Sequence, residues 1–344
     1  SGTFRENQAV AERAMDSNDQ ERERGITILA KCTSIMWKDT RVNIVDTPGH
    51  ADFGGEVERI LTMVDGVVLL VDASEGTMPQ TKFVLAKALK LGLRPIVVIN
   101  KIDRPDERTS EVVDEVFELF MALEATNEQL DFPIIYASGR SGWAVKNLTD
   151  PRENLDALFE IILAHVPAPK VDENAPFSML VTTREYNSYL GRILTGRVST
   201  GSVKVNQSIK VLDRDGNLLE SGRVSKILAF RGLERTPIEM ASAGDIIAIA
   251  GIEKANVADT LCAPEVSAPI PSLPIDPPTL AMTFSINDSP LAGKEGSKLT
   301  SRVLGERLMH EMEGNVAIRI SRSPDNDAFE VAGRGELQLG VFIE

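Results

Sequence analysis

With 344 residues, 42% hydrophobic and 26% charged, the chain has the composition of a folded globular protein and the length of two or three domains. A formal charge of −14, from 37 Lys and Arg against 51 Asp and Glu, argues against a general polyanion binder. The longest aliphatic runs, Gly66 to Val71 and Pro95 to Ile99, fall far short of the ~20 residues a membrane-spanning helix needs.

Cys32 and Cys262 lie far apart, without a C-x-x-C pair or neighbouring histidines, so the sequence suggests neither a disulfide framework nor a zinc site. The expectation is a monomer in a reducing cytoplasm, with no membrane or DNA among its partners. Residues 175–265 carry 11 Lys and Arg against 10 Asp and Glu, which places the acidity elsewhere and leaves room for local contact with RNA.

Along residues 30–165, apolar strand-like runs alternate with longer amphipathic ones. Strands are predicted at Cys32–Trp37, Val42–Asp46, Val67–Asp72, Ile96–Asn100 and Ile134–Ala137, and helices near 51–63, 79–91, 107–124 and 153–164. This rhythm predicts a doubly wound α/β sheet with helices over both faces. Pro167 and Pro169 end the last helix, and from Phe177 to about Leu261 short strands and turns, including the Asp215-Gly216 hairpin signal, predict a small β-barrel.

Six prolines between Pro264 and Pro278 make a stiff, extended linker. Beyond it, strands at Thr279–Ile286, Val316–Ile320 and Ala328–Val331, with a helix at Ser297–His310 and a second starting near Glu336, make up most of a split βαββαβ fold. The predicted domains are α/β over 1–165, all-β over 175–265 and partial α+β over 276–344.

Two motifs carry chemistry. Asn100-Lys101-Ile102-Asp103 follows directly on the buried strand Ile96–Ile99, at the end where open α/β sheets place ligands. Asp103 can accept hydrogen bonds from the N1 and N2 donors of guanine, whereas adenine would leave the carboxylate unpaired, a discrimination of ~10⁴ or more. The competing local reading, an Asn-Lys turn capping a helix near Pro105, loses weight because Asp46-Thr47-Pro48-Gly49-His50 ends an earlier strand and Ala137-Ser138-Gly139 closes the next one. The Ser138 segment is expected to support the base through backbone amides.

Asp46 is placed to hold the water shell of Mg²⁺, Gly49 to bring a bare amide to a γ-phosphate, and Thr27, in Arg24-Gly25-Ile26-Thr27-Ile28, to give its hydroxyl to the metal. Contacts of this kind vanish on hydrolysis and make a switch. His50 is the candidate to position the attacking water, since phosphoryl transfer needs orientation more than covalent help. His165, beside the prolines, and His310, at a helix end, are expected to be structural.

No phosphate loop of the form G-x-x-x-x-G-K-[ST] is found. The one Gly-Lys pair, Gly293-Lys294, precedes Glu295 and has Asp288 where the first glycine belongs. Since residue 1 is Ser and the last residues lie within a predicted helix, the expectation is a fragment with impaired nucleotide binding. Four lost charge-assisted hydrogen bonds at ~1.5 kcal/mol each would cost about 6 kcal/mol.

Arg24-Gly-Ile-Thr-Ile28, the Asp46–Phe53 motif, Asn100–Asp103 and the barrel after Phe177 together resemble the translational GTPases, the family of elongation factors G and Tu. Gly54-Gly55-Glu-Val-Glu-Arg-Ile-Leu61, Tyr189-Leu-Gly-Arg-Ile-Leu-Thr-Gly-Arg197 and Gly333-Arg-Gly-Glu-Leu-Gln-Leu339 look closest to the TypA/BipA branch. The resemblance implies a P-loop-type GTPase domain, incomplete here for want of its first strand and phosphate loop, then a translation-factor barrel and a ferredoxin-like domain. It also implies GTP/GDP and Mg²⁺ as ligands and the ribosome, its RNA and proteins, as partner, with the histidine at position 50 made catalytic by ribosomal RNA. A nucleotide-independent ribosome-binding or RNA-binding module is the alternative.

Overall fold

The computed structural model describes residues 15, 19–272, 277–286, 290, 300–314, 317–322 and 328–343. The pair Gly293-Lys294 and Asp288 lie outside them, as do Ser297 and Val316, with which a predicted helix and strand begin.

After a short helix α1 (Asp19–Arg24), β1 (Lys31–Trp37) and β2 (Thr40–Asp46) form an antiparallel hairpin in which Lys31 faces Asp46. A 3₁₀ turn at Ala51–Phe53, α2 (Gly54–Ile60) and a second 3₁₀ turn at Leu61–Met63 replace the single helix predicted over 51–63. Then come β3 (Val67–Asp72), α3 (Pro79–Lys90), β4 (Pro95–Asn100), α4 (Thr109–Ala122), α5 (Asn127–Leu130), β5 (Ile134–Ser138), β6 (Trp143–Val145) and α6 (Asp156–His165). Strands β3, β4 and β5 are parallel, and β6 closes the four-stranded sheet antiparallel to β5.

The unbroken apolar run of β4 follows from burial on both faces. Val97 and Ile99 pack among residues of α3 and α4, including Leu85, Val112 and Phe120, whereas Ile96 and Val98 meet Leu158, Ile161 and Ile162 of α6. The expected cover gives out at β3, where Val68 is 38% and Leu70 61% exposed. The hairpin, predicted to belong to the same sheet, forms a separate one: among the described residues β2 pairs only with β1, and β3 only with β4. One edge of β2 and one edge of β3 thus have no ladder partner among the described residues.

The barrel is built from β7 (Ser178–Asn187), β8 (Gly191–Thr200), β9 (Ser202–Lys204), β10 (Ser208–Leu212), β11 (Leu218–Arg223), β12 (Lys226–Arg231), β13 (Glu234–Ile238), β14 (Met240–Ser242), β15 (Ile246–Ala250) and β16 (Thr260–Cys262). Eight of these strands run in the order β11-β10-β16-β7-β8-β15-β12-β13, and β14 pairs with β9. Its core includes Met179, Leu194, Ile227, Ile247 and Leu261.

The last unit comprises β17 (Leu280–Ser285), α7 (Ser301–Gly314), β18 (Arg319–Arg322), β19 (Ala328–Gly333) and α8 (Glu336–Ile343), with strand order β17-β19-β18. His310 falls in α7, and its side chain lies outside the described residues.

Candidate functional site

The strand ends that carry the motif residues converge at the C-terminal edge of the parallel sheet. Asn100 ends β4 beside Asp72 of β3 and Ala137 of β5 in parallel register. Its side-chain oxygen accepts the Gly139 amide at 2.9 Å, and the next turn is tied down by Ile102 N–H donating to the Ala137 carbonyl at 3.3 Å. Between these two anchors Lys101 adopts φ of +63°, a left-handed conformation uncommon for a residue with a Cβ and characteristic of functional loops. Asp103 is exposed beyond it, while Ile102 is buried as the hydrophobic pin of the loop.

The Gly139 amide is therefore committed to Asn100, and the Ser138 hydroxyl accepts the Ser141 amide at 3.2 Å.

A residue absent from the sequence reading completes this half of the site. The Asp72 carboxylate faces Lys101 Nζ at 2.6 Å, while its other oxygen accepts Ser74 N–H at 2.8 Å, Ser74 O–H at 3.0 Å and Glu75 N–H at 3.3 Å. Burial pushes this carboxyl up, but the Lys101 ammonium and the Ser74 and Glu75 donors outweigh it and hold the group well below the usual carboxylate range. Asp72 is a fixed anion that holds the lysine of the motif.

The phosphate-side candidates stand on the hairpin and the loop after it. Asp46 is the last residue of β2, and Thr27 precedes β1 by four residues, so both lie toward the same end of the hairpin. Gly49 is exposed, with open space where a Cβ would stand, which leaves its amide approachable. His50 caps the 3₁₀ turn at Ala51–Phe53, accepting the Asp52 N–H at Nδ1 over 3.3 Å. The two halves of the site thus belong to different sheets, the base side on β4 and β5 and the phosphate side on the hairpin.

A second unpredicted residue shapes the Thr27 segment. Glu21 of α1 is fully buried and accepts the amides of Ile28 at 3.0 Å and Leu29 at 3.2 Å, with Lys31 Nζ as its ion-pair partner.

Residues 1–168 match the family model for the elongation factor Tu GTP-binding domain, and residues 191–262 the model for elongation factor Tu domain 2. Proteins described as large ribosomal subunit assembly factor BipA match along the whole chain: 54% identity over 343 residues for that of Bacillus subtilis (strain 168) and 53% over 344 residues for that of Escherichia coli (strain K12). The chain is BipA-like over its whole length.

It spans 56% of the length of both these relatives. A crystal structure of a Thermus thermophilus protein superposes with a TM-score of 0.69 over 95% of this chain and 59% of that one, and its 19% identity speaks to the shared fold. Asn100, Lys101 and Asp103 stand out in the sequence because their types and spacing form a local word. Asp72 offered one weaker signal, a carboxylate ending a buried strand beside the motif strand, and Glu21 offered none beyond its helical context. The cysteines are free thiols, and burial pushes that of Cys32 up to about 12, Arg235 and Glu185 acting in opposite directions on it.

Proposed function

We propose that the protein binds guanine nucleotides through Asn100, Lys101 and Asp103, hydrolyses GTP with Mg²⁺, and acts on the ribosome in the cytoplasm as a monomer. The observation that supports it best is the Asn100–Asp103 loop, pinned by Gly139 and Ala137 at the C-terminal edge of a parallel sheet, with Asp103 left exposed. The description of its relatives as large ribosomal subunit assembly factors supports placing that activity in the maturation of the large subunit.

The residues suit Mg²⁺. The described residues contain no cluster of three or more His, Cys, Asp or Glu able to cage a metal, and Thr27 and Asp46 supply one hydroxyl and one carboxylate. A small, hard cation that keeps waters and takes its other oxygens from phosphates matches so sparse a set. When bound, Mg²⁺ neutralises charge on the β- and γ-phosphate oxygens.

This chain's own groups do the rest. Asp103 accepts the guanine N–H donors, Lys101 is held beside the base by Asp72, and the Gly49 amide faces the terminal phosphate. His50 Nδ1 stands 3.3 Å from both the Asp52 N–H and Asp52 Oδ1, so the loop holds the ring through Nδ1 and leaves Nε2 for water or a phosphate oxygen.

Calorimetry of GTP and GDP with Mg²⁺ on the full-length protein tests the reading. Asp103→Asn is expected to weaken guanine nucleotides by ~10²-fold or more without lowering the melting temperature, because an amide offers an N–H where the base also donates. Unchanged affinity overturns the assignment. Ribosome binding that is equally tight in Asp103→Asn and without nucleotide favours a nucleotide-independent module instead.

A further inference from the structure

The third unit meets the His50 loop and α2 through groups that are partly or fully buried. Asp52 Oδ2 accepts the backbone N–H of Leu337 at 2.8 Å and of Gln338 at 3.3 Å, the second and third residues of α8. The first N–H groups of a helix have no partner inside it, so Asp52 serves as the N-cap of a helix 285 positions away. Four residues into α2, Glu58 Oε2 meets Arg334 Nη2 at 3.1 Å, the two side chains 5% and 6% exposed, and Lys87 Nζ stands 2.6 Å from the other oxygen.

Shape enforces the contact as well as charge. The Asp52 carboxylate occupies the place where a Cβ on Gly335 would stand, and Arg334 and Phe83 do the same at Gly54. Both glycines are therefore required by close approach. On its other side, Asp52 donates its own N–H to His50 Nδ1.

We propose that Asp52 is a positioning residue that couples the third unit to His50. Its Oδ2 is held by the N-terminus of α8, while its amide and its Oδ1 both lie 3.3 Å from His50 Nδ1 and orient the imidazole, so that undocking α8 and releasing His50 are one event. The proposal rests on the GTPase reading above for its catalytic consequence, and on the hydrogen bonds alone for the coupling itself.

Two readouts on the full-length protein test it. In ribosome-stimulated hydrolysis, Asp52→Ala is expected to lower kcat about tenfold with KM for GTP within twofold, and Asp52→Asn, which still caps a helix, to recover most of the rate. Gly335→Ala, which adds only a methyl group in the third unit, is expected to reproduce the loss by displacing the carboxylate.

In amide exchange without nucleotide, Leu337 and Gln338 should exchange about tenfold faster in Asp52→Ala, and Asp52 and Phe53 faster in Gly335→Ala. Wild-type exchange at these amides overturns the proposal, as does faster exchange with unchanged kcat in an active enzyme. If the wild type hydrolyses no GTP, the activity reading fails by itself, and exchange still decides whether α8 and the His50 loop move together.

Discussion

At the scale of single residues, the most consequential side chain outside the recognisable motifs is Glu21. A fully buried carboxylate is tolerated only when its lone pairs are used, and here the amides of Ile28 and Leu29 and the Lys31 ammonium use them. Burial pushes its carboxyl up, and Lys31 together with the two amides outweighs that and holds it below its ordinary value. A carboxylate depressed in the folded state contributes stability that is fully present above the unfolded-state pKa of ~4.3 and fades as pH falls through the folded value. Glu21→Gln is therefore expected to cost about 2 kcal/mol at neutral pH, from the loss of charge-assisted hydrogen bonds. Urea unfolding should show that gap narrowing as the pH drops below about 4. A gap independent of pH would mean that Glu21 acts through packing alone. Because the amides it holds directly follow Thr27, the same variant should loosen the loop that carries Thr27.

At the scale of elements, the β1–β2 hairpin forms no ladder with either larger sheet among the described residues: Trp37 stacks on Phe159 of α6 with ring centroids 5.0 Å apart, and the barrel holds Thr33 and Ser34 by hydrogen bonds. Ser34 donates its hydroxyl to the Phe230 carbonyl at 2.6 Å, Thr33 donates to the Gly232 carbonyl, and the Gly232 amide returns a bond to Ser34 at 2.9 Å. Ile60 and Met63, from α2 and the turn after it, pack with Phe230 and Ile246 of the barrel and with Cys32 and Val45 of the hairpin, closing one small core across three elements. Ser34→Ala removes one buried hydrogen bond and is expected to cost about 1 kcal/mol. Amides of β1 should then exchange several-fold faster while those of β7 and β8 stay at wild-type rates; uniform change would place the effect in global stability.

This docking also explains the limits of the sequence reading. The strands of the hairpin were legible from their apolar alternation, as was the NKxD-type loop from three chemically telling residues within four positions. Where the hairpin docks depends on hydroxyls of Thr33 and Ser34 meeting carbonyls nearly 200 positions away, and no local pattern encodes that. The roles of Asp52 and Asp72 were hidden for the same reason: the partners that define them, Leu337 and Lys101, come near only once separate elements have packed.

At the scale of the whole molecule, stability is distributed unevenly. The barrel encloses a continuous core of fully buried aliphatic side chains from eight of its ten strands or the loops between them, and its main sheet has strands paired in an eight-membered ladder. The four-stranded sheet instead leaves Val68 and Leu70 uncovered and one edge of β3 without a ladder partner among the described residues, features of a unit that opens at lower cost. The two tryptophans of the chain, Trp37 on β1 and Trp143 on β6, both lie outside the barrel. Their fluorescence therefore reports the first unit, while the far-ultraviolet circular dichroism of strands is dominated by the barrel. In a urea titration the tryptophan transition is expected to come first, with barrel dichroism lost at higher denaturant. Coincident transitions would show that the Arg197–Asp65 ion pair at 2.9 Å, the hairpin's bonds to Phe230 and Gly232, and the small core around Ile60 fuse the units into one cooperative block. Separate transitions would leave the barrel as the platform on which the first unit opens and closes.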